Sequence, residues 1–256
     1  MGNKLGQHFL TSEKAVKDMV TAGEVDAKDT VLEIGPGKGV LTRALLNTGA
    51  RVIALEKDSE LVVFLKNEFV SEIGSGQLEL IETDVRSFKP TRSTIGSDSY
   101  KLVANIPYYI TGEIIRTYLT TTFQPDTLVL LVQKEVARRI VARDKKESIL
   151  SISVKAYGHP SVVSVVKAGS FNPKPKVDSA ILKIEHVSKD FFSGLTESRF
   201  FEILKNGFGE KRKQLVNHLG VDTEKARIIL RELGISETVR AEDLTLENWK
   251  DIVVKC

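Results

Sequence analysis

Four consecutive residues, Asn105-Ile106-Pro107-Tyr108, bring a carboxamide, a proline and an aromatic ring together directly after the apolar run from Lys101 to Ala104. Such a group makes a poor core and a good socket for a flat, polar base. The Asn105 side chain offers a hydrogen-bond donor and an acceptor. Pro107 fixes its own φ and pushes Ile106 towards an extended conformation, and Tyr108 supplies a stacking face. Taken alone, the four residues also fit a strand that ends in a proline turn.

Three further features add chemistry. Thr30-Val31-Leu32-Glu33-Ile34 runs straight into Gly35-Pro36-Gly37-Lys38-Gly39, and a helical pattern from Val40 to Leu46 follows. Glycines there let backbone approach a ligand, and the helix start offers amide donors. The spacing G-x-G-x-G is not the dinucleotide G-x-G-x-x-G. Glu56 closes the run Arg51 to Leu55, 21 residues beyond Gly35. A carboxylate at the tip of a second strand can accept both ribose hydroxyl protons of an adenosine. Asp84 follows the run Gln77 to Ile81 and is placed either to receive an adenine amino group or to cap a turn.

The elements that must hold these residues alternate. Strand patterns at 30–34, 51–55, 77–81, 100–104 and 127–132 are interleaved with helical patterns at 11–23, 40–46, 58–69, 110–119, 134–142 and 148–157. This order predicts an α/β fold with a largely parallel sheet. In such sheets ligands bind outside the carboxyl ends of the strands, where Gly35, Glu56, Asp84 and Asn105 all fall, so a single pocket is expected. Gly6-Gln7-His8-Phe9-Leu10 mixes polar and large apolar side chains, as though the arm lay across a site.

Two β-rich runs, 162–166 and 180–185, flank the loop from Phe171 to Ser179, which carries Pro173, Lys174, Pro175 and Lys176. Two prolines bar a central strand, and lysines beside an aromatic suit nucleic-acid contact. The helix at 134–142 is expected to expose Arg138 and Arg139 beside buried Val136, Ile140 and Val141. Charge supports that reading. Residues 134–183 carry 11 basic and 4 acidic side chains, whereas the whole chain of 256 residues has a net charge of only +3. From about Val187 helical patterns dominate, at 197–208, 211–219, 223–233 and 246–254. A small all-α C-terminal domain is therefore expected at 187–256, after a catalytic domain at 1–186. Lys211-Arg212-Lys213 is expected to open one of its helices, either as a phosphate clamp or as a solvated helix start.

Composition narrows the remaining classes. The chain has no apolar core of signal-peptide length and no apolar run near the ~20 residues that cross a bilayer, so a cytoplasmic protein with no membrane partner is expected. Cys256 is the single cysteine, which excludes an intrachain disulfide and a cysteine-ligated metal cluster. The single-chain architecture points to a monomer.

In this order, 6–10, Glu33-Ile34-Gly35-Pro36-Gly37, Glu56, Asp84, Asn105-Ile106-Pro107-Tyr108, Gln133-Lys134-Glu135-Val136, 171–179 and 211–213 resemble the small-subunit ribosomal RNA adenine dimethyltransferases, over nearly the whole length. The resemblance implies a Rossmann-like fold of the methyltransferases that depend on S-adenosyl-L-methionine (SAM). It implies SAM as cofactor, held at His8, Leu10, Gly35, Gly37, Glu56, Asp84 and Asn105. It implies a target-base site of Asn105, Pro107 and Tyr108, with Phe171 stacking from the other side, and no metal. The implied RNA contacts are Arg138, Arg139, Lys174, Lys176, Lys211, Arg212 and Lys213. The implied reaction is N6,N6-dimethylation of two adjacent adenosines near the 3′ end of 16S rRNA, with the small ribosomal subunit as partner and a role in its biogenesis. His8 stands where the family pattern has Asn. Two other readings share the same motifs: a 23S rRNA adenine-N6 methyltransferase of the macrolide-resistance type, and a mainly non-catalytic ribosome-assembly factor. Lys176-Val177-Asp178-Ser179 and Lys211-Arg212-Lys213 favour the small-subunit family.

Overall fold

The computed structural model describes residues 8–142, 144–210 and 213–256. Lys211 and Arg212, with Gly6 and Gln7 of the arm, lie outside the described residues. The strands are β1 (Phe9–Leu10), β2 (Thr30–Ile34), β3 (Arg51–Glu56), β4 (Leu78–Glu82), β5 (Lys101–Asn105), β6 (Thr127–Gln133), β7 (His159–Val166), β8 (Phe171–Asn172) and β9 (Ser179–Glu185). The helices are α1 (Glu13–Ala22), α2 (Val40–Leu46), α3 (Ser59–Glu68), α4 (Val70–Gly74), α5 (Arg92–Ile95), α6 (Thr111–Thr120), α7 (Lys134–Ile140), α8 (Ile149–Lys155), α9 (Glu197–Gly209), α10 (Thr223–Glu232) and α11 (Leu246–Lys255).

Local chemistry explains where these elements start. The Ser12 hydroxyl accepts the Ala15 amide at 3.3 Å and caps α1, whose buried stripe is Ala15, Val16, Met19 and Ala22. Asp58 caps α3 by accepting the amides of Glu60 at 2.9 Å and Leu61 at 3.3 Å. Every residue of β2 is buried, as a strand covered on both faces requires.

The large sheet has the order β4-β3-β2-β5-β6-β9-β7. Its first five strands are parallel, and β9 runs antiparallel to both β6 and β7. β2 lies between β3 and β5, so the chain winds outward from it in both directions. Its carboxyl end is the topological switch point, where such sheets bind ligands. β1 and β8 form a separate antiparallel pair.

The chain divides into two compact units. One holds residues up to Ala137 together with His159–Val187; the other holds Arg138–Gly158 and Ser188–Cys256. The second unit resumes next to the expected boundary at 187, but it also takes in 138–158. Within it, the Tyr157 hydroxyl donates to Glu197 at 2.9 Å, and the Tyr157 ring sits 5.0 Å from that of Phe192. α8 itself packs against α9 within this unit. No strand occurs in this unit among its described residues.

Two other expectations are corrected. No α-helix covers 213–219, where a single 3-10 turn spans Leu215–Asn217. The Leu215 amide bonds to the Val239 carbonyl at 2.9 Å, and Gly220 has φ +76, so the segment turns across its neighbours. On α7, Ile140 is buried as expected, but Val136 and Val141 are only half-buried, and Arg138 is half-buried with no partner for its Nε among the described residues. α7 ends at Ile140 and Ala142 has φ +52, so the apolar stripe stops short.

Candidate active site

The glycine-rich turn leaves β2 with Gly35, Gly37 and Gly39 at φ +66, +59 and +78, a left-handed conformation that side chains disfavour. The Gly35 amide is fixed by the Leu55 carbonyl at 2.9 Å. A Cβ placed on Gly35 would meet nothing within 4 Å, whereas one on Gly37 would come 3.0 Å from the Phe9 ring. The turn therefore faces open space at its first glycine and is roofed by the N-terminal arm at its second.

Glu56 is buried at the tip of β3. Its Oε2 accepts the Gly37 amide at 3.2 Å, and its Oε1 accepts the amides of Lys57 at 2.8 Å and Asp58 at 2.9 Å. Burial raises its pKa above the ordinary value, and the three N–H donors oppose that rise. One strand over, burial pushes the Glu33 carboxyl up to about 8, with the neighbouring Glu56 charge adding to the shift. Glu33 Oε2 has no partner among the described residues.

Beyond β4, Asp84 receives the Arg86 guanidinium through Nε at 2.9 Å and Nη2 at 2.6 Å, and the Lys57 ammonium at 3.0 Å. The Arg86 contacts, backbone amide included, hold the Asp84 carboxyl well below the usual carboxylate range. No sequence pattern signals that these two cations share Asp84. Lys57 follows Glu56 directly, and Arg86 lies two positions after Asp84, spacings that many turns share.

Asn105 ends β5, and its side-chain nitrogen donates to the His8 carbonyl at 3.3 Å. The His8 Nδ1 donates to the Pro173 carbonyl at 2.7 Å. These contacts follow from the β1–β8 pairing, which sets Phe9 opposite Asn172 and Leu10 opposite Phe171. The Thr11 amide and hydroxyl extend it, both donating to the Ser170 carbonyl, at 2.8 and 2.9 Å. Tyr108 is half-buried, its hydroxyl 2.7 Å from that of Ser179 and its ring stacked on His8 at 6.0 Å between centroids. The Asn172–Pro173 peptide is cis.

Phe171, expected to stack on the base from the side opposite Tyr108, lines the same cleft. It is 4% exposed and packs into the apolar core beside Leu10 and Ile181, so only part of its ring reaches the cleft. The pairing with β1 draws it inward.

His8, Leu10, Gly35, Gly37, Glu56, Asp84, Asn105, Pro107, Tyr108 and Phe171 line one cleft in the first unit. Lys174 and Lys176 are exposed on the loop that follows β8. Asp178 braces that loop by accepting the Ala168 amide at 3.0 Å and the Lys167 ammonium at 3.1 Å. Arg138, exposed Arg139 and Lys213, whose ammonium is 3.7 Å from Glu210, belong to the second unit. Among the described residues no cluster of His, Cys, Asp or Glu is arranged to hold a metal ion, and no helix is long and apolar enough to cross a membrane.

The whole chain has known counterparts. A family model described as ribosomal RNA adenine dimethylase matches residues 2–255. A ribosomal RNA small subunit methyltransferase A of Dehalococcoides mccartyi is 40% identical over 98% of this chain and 87% of its own length. The protein of the same name from Lactobacillus johnsonii is 36% identical over 96% of this chain and 87% of its own. Among solved structures, a dimethyladenosine transferase from Plasmodium falciparum superposes with a TM-score of 0.83 at 26% identity, covering 96% of both chains. The 23S rRNA methyltransferase ErmE gives 0.77 at 23% identity, over 96% of this chain and 98% of its own, a likeness of fold. With the cleft at the switch point of a methyltransferase sheet, these matches place the protein: the chain belongs to the ribosomal RNA adenine dimethylase family.

Proposed function

We propose that the protein transfers methyl groups from SAM to N6 of two adjacent adenosines near the 3′ end of 16S rRNA, as a monomer acting on the small ribosomal subunit in the cytoplasm. The observation that carries this reading is the Asn105 carboxamide. Its nitrogen is committed to the His8 carbonyl, so its oxygen is left as an acceptor in a cleft that also holds Gly35, Glu56 and Asp84.

The cleft suits the cofactor its family uses. The empty space before Gly35 supports close approach of a ligand to backbone, and the Glu56 carboxylate retains acceptor capacity beyond its three N–H partners. Gly35, Gly37 and Glu56 would hold the amino-acid and ribose portions, and Asp84 the adenine. His8 and Leu10 would close the arm over them. When bound, SAM supplies a methyl group already activated on a sulfonium.

The chain's own residues then prepare the nucleophile. Adenine N6 is weak because its lone pair is delocalised into the ring. The Asn105 oxygen and a main-chain carbonyl within 105–107 accept both N6 hydrogens, which favours a pyramidal nitrogen with a localised pair. Tyr108, its hydroxyl anchored on Ser179, gives the extruded base a surface that replaces its lost neighbours. Alignment of this kind contributes up to ~7–11 kcal/mol in favourable cases. After one transfer and loss of a proton to water, N6 keeps one hydrogen and a lone pair, so a second transfer follows with one of the two acceptors engaged, provided the socket admits the first methyl.

The test incubates the protein with labelled SAM and unmethylated small or large subunits, then maps the modified adenosines. Label on adjacent adenosines near the 16S 3′ end is expected. Label on the large subunit alone would assign the macrolide-resistance type of activity instead.

A further inference from the structure

Tyr109 lies at the mouth of the cleft and is 69% exposed, although its neighbours are tied down. Tyr108 and Ile110 complete the same 3-10 turn. Tyr108 is anchored through Ser179 at 2.7 Å, Ile110 is buried, and the Ile110 amide bonds to the Pro107 carbonyl at 3.2 Å. The backbone of Tyr109 is therefore held in place while its ring stands in solvent, one residue from the socket for the target base. Single exposed aromatics are ordinary elsewhere on a surface. A fixed one at the rim of a base pocket has a use.

The charges beside it decide which part of an RNA it suits. The Lys57 ammonium and the Arg86 guanidinium are both bonded to Asp84, at 3.0 and 2.6 Å. The Asp84 contact chiefly raises the Arg86 pKa, and the nearby Glu113 carboxylate adds to that rise. Two cations are thus matched by two carboxylates, and this corner has little net charge to offer a phosphate. What it offers is a flat face.

We propose that Tyr109 is the stacking platform for the base adjoining the flipped adenine, so that consecutive nucleotides are read on consecutive tyrosines. The inference rests on the proposed function and adds a determinant outside the socket. A base drawn out of a helix leaves its neighbour with one unstacked face, and Tyr109 covers that face while Tyr108 covers the flipped base. Because the contact is uncharged, its contribution is insensitive to salt, unlike that of Lys174 and Lys176.

The test compares wild type, Tyr109→Ala and Tyr109→Phe on small subunits whose unmethylated rRNA carries an adenosine or an abasic nucleotide at each flank of the acceptor in turn. The readout is kcat/KM for label transfer. On the intact particle Tyr109→Ala is expected to be slower by roughly 5- to 150-fold, the range for one base stacked on one aromatic, and Tyr109→Phe to match wild type. Removing the neighbouring base at one flank lowers wild type by the same factor and leaves Tyr109→Ala unchanged. An equal loss in both proteins, or a Tyr109→Ala rate equal to wild type on the intact particle, overturns the platform. Absence of transfer by wild type to any small subunit overturns the functional reading itself, and the platform with it.

Discussion

The His8 carbonyl stands 3.3 Å from the Asn105 side-chain nitrogen. A carbonyl only accepts, so the carboxamide cannot be turned round without losing this bond. The ring of the same histidine donates to the Pro173 carbonyl at 2.7 Å. One residue of the N-terminal arm thus orients the Asn105 carboxamide and ties it to the loop that follows β8.

Asn105→Asp tests this orientation with almost no change of shape. The substitution removes the donor and sets a carboxylate oxygen against the His8 carbonyl, so two acceptors oppose each other. Methyl transfer in a single turnover is expected to fall by about 100-fold or more, the scale of losing one oriented polar group at a reacting centre. Thermal stability should change little, since Asn105 is half-exposed. A single-turnover rate close to wild type would remove Asn105 from the base site.

Most of the sheet and the floor of the cleft were legible because each rests on a local pattern. β2, the glycine turn and α2 follow one another within a few residues, and Glu56 and Asn105 close apolar runs. Contacts between distant segments were not legible. β1 and β8 are two residues each and pair across more than 160 positions, with no alternation long enough to read. The burial of Phe171 against Leu10 and Ile181 also depends on segments far apart in the chain. Residues 213–219 carry helix-forming side chains, yet the bond from Leu215 to Val239 overrides that preference. The grouping of 138–158 with the C-terminal helices likewise depends on Tyr157 meeting Glu197 and Phe192.

Glu33 gives the first unit a pH-dependent stability. Burial lifts its carboxyl from the ordinary 4.5 to about 8. Between these values the folded chain keeps a proton that the unfolded chain has released, so stability falls as pH rises. The contribution is complete below the unfolded value and lost above the folded one. The slope is at most about 1.4 kcal/mol per pH unit. Glu33→Gln stays neutral throughout, and its unfolding midpoint should decline less than that of wild type between about pH 5 and about pH 8. Parallel declines in the two proteins would place the titrating group elsewhere.

Lys174 and Lys176 are exposed on a loop braced by Asp178, and they are expected to meet RNA phosphates. Each phosphate contact releases about one counterion, so removing one lysine should reduce the slope of log K against log salt by ~1. Lys174→Ala and Lys176→Ala should therefore weaken binding to unmethylated small subunits most at low salt, while SAM affinity is unchanged. Titrations of subunit binding over a salt series read the slope directly. Slopes identical to wild type would show that the loop stays off the backbone.

Gly207 probes the second unit independently of any ligand. It lies in α9, and a Cβ added there would come 2.4 Å from the Trp249 ring and 2.8 Å from Leu215. Trp249 is fully buried in α11 and stacks on Phe208 with centroids 5.4 Å apart, so the ring has no free direction in which to retreat. Overpacking of this kind costs about 1–3 kcal/mol. Gly207→Ala should lower the thermal midpoint and quench or shift the emission of Trp249, the single tryptophan of the chain. SAM binding should survive, because the cleft residues belong to the first unit. A midpoint and emission unchanged from wild type would mean that α9 and α11 can separate at low cost, and the close helix approach at Gly207 would no longer account for a glycine in the last turn of α9.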